Sequence, residues 1–224
     1  AETSEIVYLS VIGTLATALN SVVFVRLLRQ SRTPTAQTSF MAGPYHISSF
    51  TLFKLSLCAT DFLILLLHTF GKIIWLWTFT WPLGDSAASC KAYKALSIFA
   101  FYANSNVVAA IGLDRLKVVY TSHIQGATSV RRVRLMLACA WLLAATCSVP
   151  QLFVFGVFEV ERGWFQCTDV FAVREGREER ERKSLNSRPY HFPAAVFWLP
   201  FTVLVAAYLM IVLKLVHFTL RPVA

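Results

Sequence analysis

The stretch Cys90–Arg115, CKAYKALSIFAFYANSNVVAAIGLDR, decides the fold. It is apolar for most of its length and closes on two adjacent charges, Asp114 and Arg115. A helix that crosses the hydrocarbon core of a bilayer needs roughly 20 apolar residues, and this run, taken over about 92–120, is long enough. Charges at the edge of such a helix need a reason. One reading is a plain interfacial anchor, with the arginine reaching out to water. The other is a latch that holds one state of the protein. Adjacent residues point about 100° apart on a helix, but a flexible arginine can fold back on the aspartate.

Working outward, four further apolar runs of similar length lie at about 6–28, 51–76, 133–158 and 190–216. The expected architecture is an all-α polytopic transmembrane bundle in which residues 1–224 form a single domain. Composition agrees. The chain of 224 residues is 56% hydrophobic and 15% charged, with a mean hydropathy of +0.58. Soluble domains run about 45–50% apolar and about 25% charged. The run 6–28 is too long for a signal peptide's apolar core and is read as a span.

The net charge of +9 is distributed by side. Residues 26–54 carry Arg26, Arg29, Arg32 and Lys54 with no acid, and residues 115–134 carry Arg115, Lys117, Arg131, Arg132 and Arg134 with none. Seven of the 12 acids lie between the fourth and fifth runs, from Glu159 to Glu181. Short cytoplasmic loops concentrate Lys and Arg, so both basic segments are expected to face the cytoplasm and the N-terminus to lie outside. The basic excess then reports topology and contact with anionic lipid rather than a nucleic-acid surface. The mixed-charge run Arg174–Lys183 reads as a solvated outer excursion, or as a surface that captures a charged ligand.

Cys58, Cys139 and Cys147 fall inside spans and read as small buried hydrophobes. Cys90 and Cys167 both fall on the outer side, where disulfides persist. They are expected to form a bridge, two free thiols being the alternative.

Ionisable groups inside a span cost roughly 2.5–3.5 kcal/mol each on insertion scales and mark functional sites by default. Asp61 is such a group, with Asn20 and Asn104 as candidate neighbours in one intramembrane polar cluster. The cluster reads either as a hydrogen-bonded packing network or as a site for a cation or a proton. The five histidines are scattered, and no nucleophile, metal-ligand set or phosphate loop is visible. The chain is not expected to be an enzyme or to carry a cofactor.

In order and spacing, these marks resemble the rhodopsin-like (class A) G-protein-coupled receptors, over nearly the whole chain. The carriers are Asn20, Leu57-Cys58-Ala59-Thr60-Asp61, Trp81-Pro82-Leu83-Gly84, Cys90 with Asp114-Arg115, Trp141, Cys167, and Pro200 with Tyr208. Within that family, Pro150-Gln151-Leu152-Phe153-Val154-Phe155, Phe165-Gln166-Cys167-Thr168 and an Asp-Arg pair followed by Leu116 are most similar to the gonadotropin-releasing-hormone and adipokinetic-hormone receptor group.

The resemblance implies five of the family's seven helices, a plasma-membrane location, an extracellular peptide or neuropeptide hormone as ligand, and a heterotrimeric G protein as cytoplasmic partner. It implies that Asp114 holds Arg115 at rest, that Tyr208 swings in to support the released arginine, and that Pro200 marks the fifth helix. Asp61, Asn20 and Asn104 would hold water or a sodium ion. Ligand would enter near Lys72, Lys94, Ser97, Phe101 and Gln151. Departures are Ser97, where hormone-binding members have Lys, Lys72 in place of an acidic contact, and Ser105 in place of a bulky apolar residue. Nothing resembles the motifs of spans six and seven, so a five-span form is expected not to signal by itself. The alternatives are a membrane protein that pairs with full-length receptors without signalling, and a proton-coupled transporter using Asp61.

Overall fold

A computed structural model of the chain describes residues 2–32, 49–79, 81–82, 86–121, 130–161, 164–170 and 191–219. The run Arg174–Lys183, the turn residues Leu83 and Gly84, and most of the two basic loops lie outside them.

Among the described residues, four helical stretches are long and apolar enough to cross a membrane: Thr3–Arg29, Ser49–Thr78, Ala87–Tyr120 and Val130–Val154. They arise from α1 (Glu2–Arg32), α2 (Ser49–Ile64), a π turn (Leu65–Phe70), α3 (Gly71–Thr78), α4 (Ala87–Thr121), α5 (Val130–Ser148) and α6 (Gln151–Val154). The last helix, α7 (His191–Thr219), carries Pro200 inside it and a shorter apolar stretch, Pro200–Lys214. The proline frees the carbonyl one turn earlier, a break that membrane helices tolerate.

Helix α4 is the axis of the bundle. Of its apolar window 44% is buried, against 6% for α1 and 22% for each of the other two. It packs on α2, α5 and α7. Lipid tails give no hydrophobic drive for helices to associate, so close approach through small residues does the work. Ala103 and Ala144 pack with Tyr102 between α4 and α5, flanked by Trp141. Phe53, Ala110 and Val133 join α2, α4 and α5 nearer the Asp114 end. Gly112 serves α7, because a Cβ there would lie 3.0 Å from Leu204 Cδ1 and 3.8 Å from Tyr208 Cε2. Polar side chains add cross-links. Trp141 Nε1 donates to Ser56 Oγ at 2.9 Å, and Asn106 Nδ2 donates to the Ala140 carbonyl at 3.1 Å.

The expected fourth span, 133–158, is too long at its far end. The helix stops at Ser148, a turn at Val149-Pro150 leads into α6, and from Phe155 the chain is a strand. Strand β1 (Phe155–Glu161) pairs antiparallel with β2 (Trp164–Asp169), placing Val157 opposite Cys167. Pro150 cannot donate a helical hydrogen bond, and the Val, Phe and Glu that follow suit a half-exposed pleat better than a helix.

The π turn in the second span has no proline to announce it, and nothing in the sequence points to it. Helix α3 after it ends at Phe79, whose φ of 55° is left-handed. Its N–H reaches the Trp75 carbonyl at 3.1 Å, and its own carbonyl accepts from Gln166 Nε2 at 2.8 Å. Those bonds hold a conformation that a bulky residue otherwise avoids.

Gly71 opens α3 against α4. A Cβ there would fall 2.6 Å from Tyr93 Oη and 2.8 Å from Tyr93 Cε2. Gly71→Ala is therefore expected to displace the Tyr93 ring and cost about 1–3 kcal/mol, the usual range for overpacking. Thermal unfolding in lipid nanodiscs measures this, and an unchanged midpoint would show that the ring yields freely.

Candidate functional site

Two sites lie at opposite ends of α4. The separation of 25 residues between Cys90 and Arg115 corresponds to about 37 Å of helix.

At the first end, Cys90 and Cys167 form a disulfide with a Cα–Cα distance of 5.5 Å. Both are buried with Trp81, and Trp75, Tyr93, Phe155 and Val157 pack around them. Trp81 stacks edge-on with Trp75 and with Tyr93, at centroid distances of 5.3 and 5.2 Å. Trp75 Nε1 donates to Gln166 Oε1 at 2.7 Å, and Trp81 Nε1 to Ser89 Oγ at 3.1 Å. The hairpin is thereby fastened to α3 and α4 by a covalent bond, an indole hydrogen bond and aromatic contact.

The residues expected to receive a ligand surround this cap. Lys72 pairs with Glu5 of α1. The Lys94 ammonium lies 4.7 Å from the Trp75 ring centroid and 5.3 Å from that of Phe155, within cation–π range. Phe101 meets His68 of the π turn edge-on at 4.8 Å. Ser97 and Gln151 are buried. His68, Lys72 and Lys94 lie within electrostatic reach of one another, and Asp169 within reach of Lys94. This end is thus aromatic, with two lysines that are each answered by a carboxylate, Glu5 for Lys72 and Asp169 for Lys94. Glu5, His68, Trp75 and Gln166 belong to it by tertiary placement, and sequence reasoning did not select them.

Midway along α4, Asn104 Nδ2 donates to Asp61 Oδ1 at 2.7 Å and to Thr60 Oγ1 at 3.1 Å. Asn20 does not join them. Its Nδ2 turns back to the Ala16 carbonyl of its own helix at 3.1 Å. The three-member cluster expected from sequence is, in this structure, Asp61, Asn104 and Thr60. Asn104→Ala removes the one side chain that hydrogen-bonds the Asp61 carboxylate among the described residues. We expect a loss of about 1–3 kcal/mol, the range for removing a hydrogen bond to a partly buried charged group. An unchanged melting midpoint would mean that the carboxylate does not depend on Asn104.

At the second end, Asp114 is 1% exposed. Its nearest cation is not Arg115. Arg132 of α5 donates from Nη2 to Asp114 Oδ1 at 2.8 Å, whereas Arg115 Nη2 stands 3.9 Å from Oδ2. The guanidinium of Arg115 lies over the Phe50 ring of α2, 4.5 Å from its centroid. Tyr208 packs beside Gly112, one turn before Arg115, without a hydrogen bond to it. Lys214 of α7 donates to the Val119 carbonyl at 2.9 Å and covers the Tyr120 ring at 4.0 Å, tying α7 to the end of α4. Sequence reading counted Arg132 as topological charge and passed over Phe50. The missing signal is azimuth: nothing in the chain says which basic residue of α5 turns toward α4.

The chain is similar to known membrane receptors. The signature described as 7 transmembrane receptor (rhodopsin family) matches residues 19–221. The chain is 31% identical to the G-protein coupled receptor daf-38 of Caenorhabditis elegans, over 76% of this chain and 43% of that protein. It is 27% identical to a gonadotropin-releasing hormone receptor of Octopus vulgaris, over 72% of this chain and 38% of the relative. It is 30% identical to the human vasopressin V1b receptor, over 71% and 36%. The matched segments thus span less than half the length of each of these relatives.

Proposed function

Because the chain belongs to the rhodopsin family of seven-transmembrane receptors, we propose that it is the ligand-binding and latch-bearing portion of a G-protein-coupled receptor for a peptide hormone. The observation that carries this is α4 itself. One helix has a disulfide-anchored, aromatic and lysine-bearing cap at its first end and the Asp114–Arg132 ion pair beside a partly exposed arginine at its other. Such a helix can couple events on the two faces of a membrane. Two of the relatives are named for hormones, which supports a hormone as ligand. The acid-free basic segments support an N-terminus outside and the Asp114 end in the cytoplasm, in the plasma membrane.

In this reading the peptide enters by Lys72, Lys94, Ser97, Phe101 and Gln151, and Arg115 meets a heterotrimeric G protein. Agonist acts by differential affinity for two states of the bundle. Tyr208 and Pro200 of α7 serve the inner rearrangement, and the Asp61 carboxylate with Asn104 offers a place for a sodium ion in the resting state. The test is guanine-nucleotide exchange in membranes that express the full-length transcript product, screened against a peptide-hormone library with a panel of G proteins. Saturable, ligand-dependent exchange supports the reading. Failure of a correctly inserted product to drive exchange with any peptide of the library on any G protein of the panel defeats it.

A further inference from the structure

The geometry around Asp114 is half of a fork. Arg132 Nη2 holds Oδ1 at 2.8 Å. Arg132 Nε and Asp114 Oδ2 are both buried, and neither has a hydrogen-bond partner among the described residues. A guanidinium matches a carboxylate best with two parallel N–H···O bonds, and here one is made and the second is open. Among the described residues, the other cation near Oδ2 is Arg115, too far for a hydrogen bond at 3.9 Å.

We propose that Arg132 is a positioning residue that takes over Asp114 when Arg115 leaves. In the arrangement seen here, Arg132 holds one carboxylate oxygen and Arg115 neutralises the other electrostatically. When Arg115 moves away, Arg132 closes its second N–H onto Oδ2. The Asp114 carboxylate therefore never stands uncompensated, which matters because stranding a buried charge is strongly destabilising. The Phe50 ring, 4.5 Å from the guanidinium, also supports Arg115 in this held position. The equilibrium between held and released Arg115 is thus set from α5 and α2 as well as from α4.

A static staple between α4 and α5 would use the same 2.8 Å contact, so the test must separate the two roles. Lysine does so, since it keeps the charge and one hydrogen bond but cannot close a fork. The measurement is thermal unfolding of the full-length product in nanodiscs, with Arg132→Lys and Arg132→Ala each made alone, with Arg115→Ala and with Asp114→Asn. If the fork closes on release of Arg115, Arg132→Lys leaves the midpoint near wild type alone and lowers it by several degrees in the Arg115→Ala background. Arg132→Ala lowers it in both and adds nothing to Asp114→Asn.

An equal effect of Arg132→Lys in both backgrounds would make Arg132 a staple and overturn the proposal, as would additivity of Arg132→Ala with Asp114→Asn. These melts need no G protein, so they decide the matter whether or not the receptor reading survives. Where exchange is measurable, Arg132→Lys is expected to reduce agonist-driven exchange about fivefold or more, within the usual span of coupling between sites. Wild-type exchange in that variant would also overturn the proposal.

Discussion

Replacing Cys90 and Cys167 by serine is expected to lower the stability of the bundle by about 2–3 kcal/mol, the lower part of the usual range for a native disulfide. The bridge closes a separation of 77 residues, for which chain entropy alone gives about 4.5 kcal/mol. That figure assumes a free chain. Membrane helices stay inserted when their packing is lost, so the unbridged state explores less space and the entropic gain shrinks. The loss also loosens the hairpin, since β1 and β2 hold their place over α4 through Cys167, Gln166 and the aromatic cluster around Trp81. Melting in nanodiscs with and without a thiol reductant measures the effect. The reductant should bring the wild-type midpoint down to that of the double serine variant and leave the variant unchanged. Equal midpoints for the oxidised wild type and the variant would remove the disulfide from the account of stability.

Arg115→Ala is expected to do the reverse: little to stability and a great deal to signalling. Its side chain is 38% exposed and, at 3.9 Å from the buried Asp114 carboxylate, makes no hydrogen bond to it, so its own contribution is expected to be small, about 0–1 kcal/mol. Asp114 keeps its shorter bond to Arg132 in the variant. If Arg115 is the group that meets the G protein, agonist-driven nucleotide exchange should fall at least about tenfold, which is about 1.4 kcal/mol and within the range for coupling between sites. Agonist binding should change far less. Exchange at wild-type level, with melting also unchanged, would show that Arg115 is only an interfacial anchor.

Much of the architecture was legible in the linear chain, for reasons that do not depend on tertiary detail. A run of some 20 apolar residues has few soluble uses. It was therefore possible to read α1, α2 with α3, α4 and α5 from length alone, and the structure places helices over each. The order and spacing of Cys90, Asp114, Arg115, Trp141 and Cys167 were enough to suggest the family that the signature match then showed. The bridge between Cys90 and Cys167 could be anticipated because only two cysteines lie beyond the ends of spans.

Which neighbours each polar group chose was decided only by the folded bundle. A 3.6-residue period states which residues share a face of one helix. It does not state how far that helix is rotated toward the next, and hydrogen bonds are lost over a fraction of an ångström. Asn20 was a fair partner for Asp61 by depth, yet it bonds to Ala16 in its own helix while Asn104 and Thr60 form the cluster. Arg115 was the obvious partner for Asp114 by adjacency, yet the 2.8 Å bond comes from Arg132, 18 residues on and in another helix. The end of the fourth span, the π turn at Leu65–Phe70 and the hairpin carrying Cys167 follow the same rule. Burial and length can be read along a chain, but rotation and contact belong to the packed helices alone.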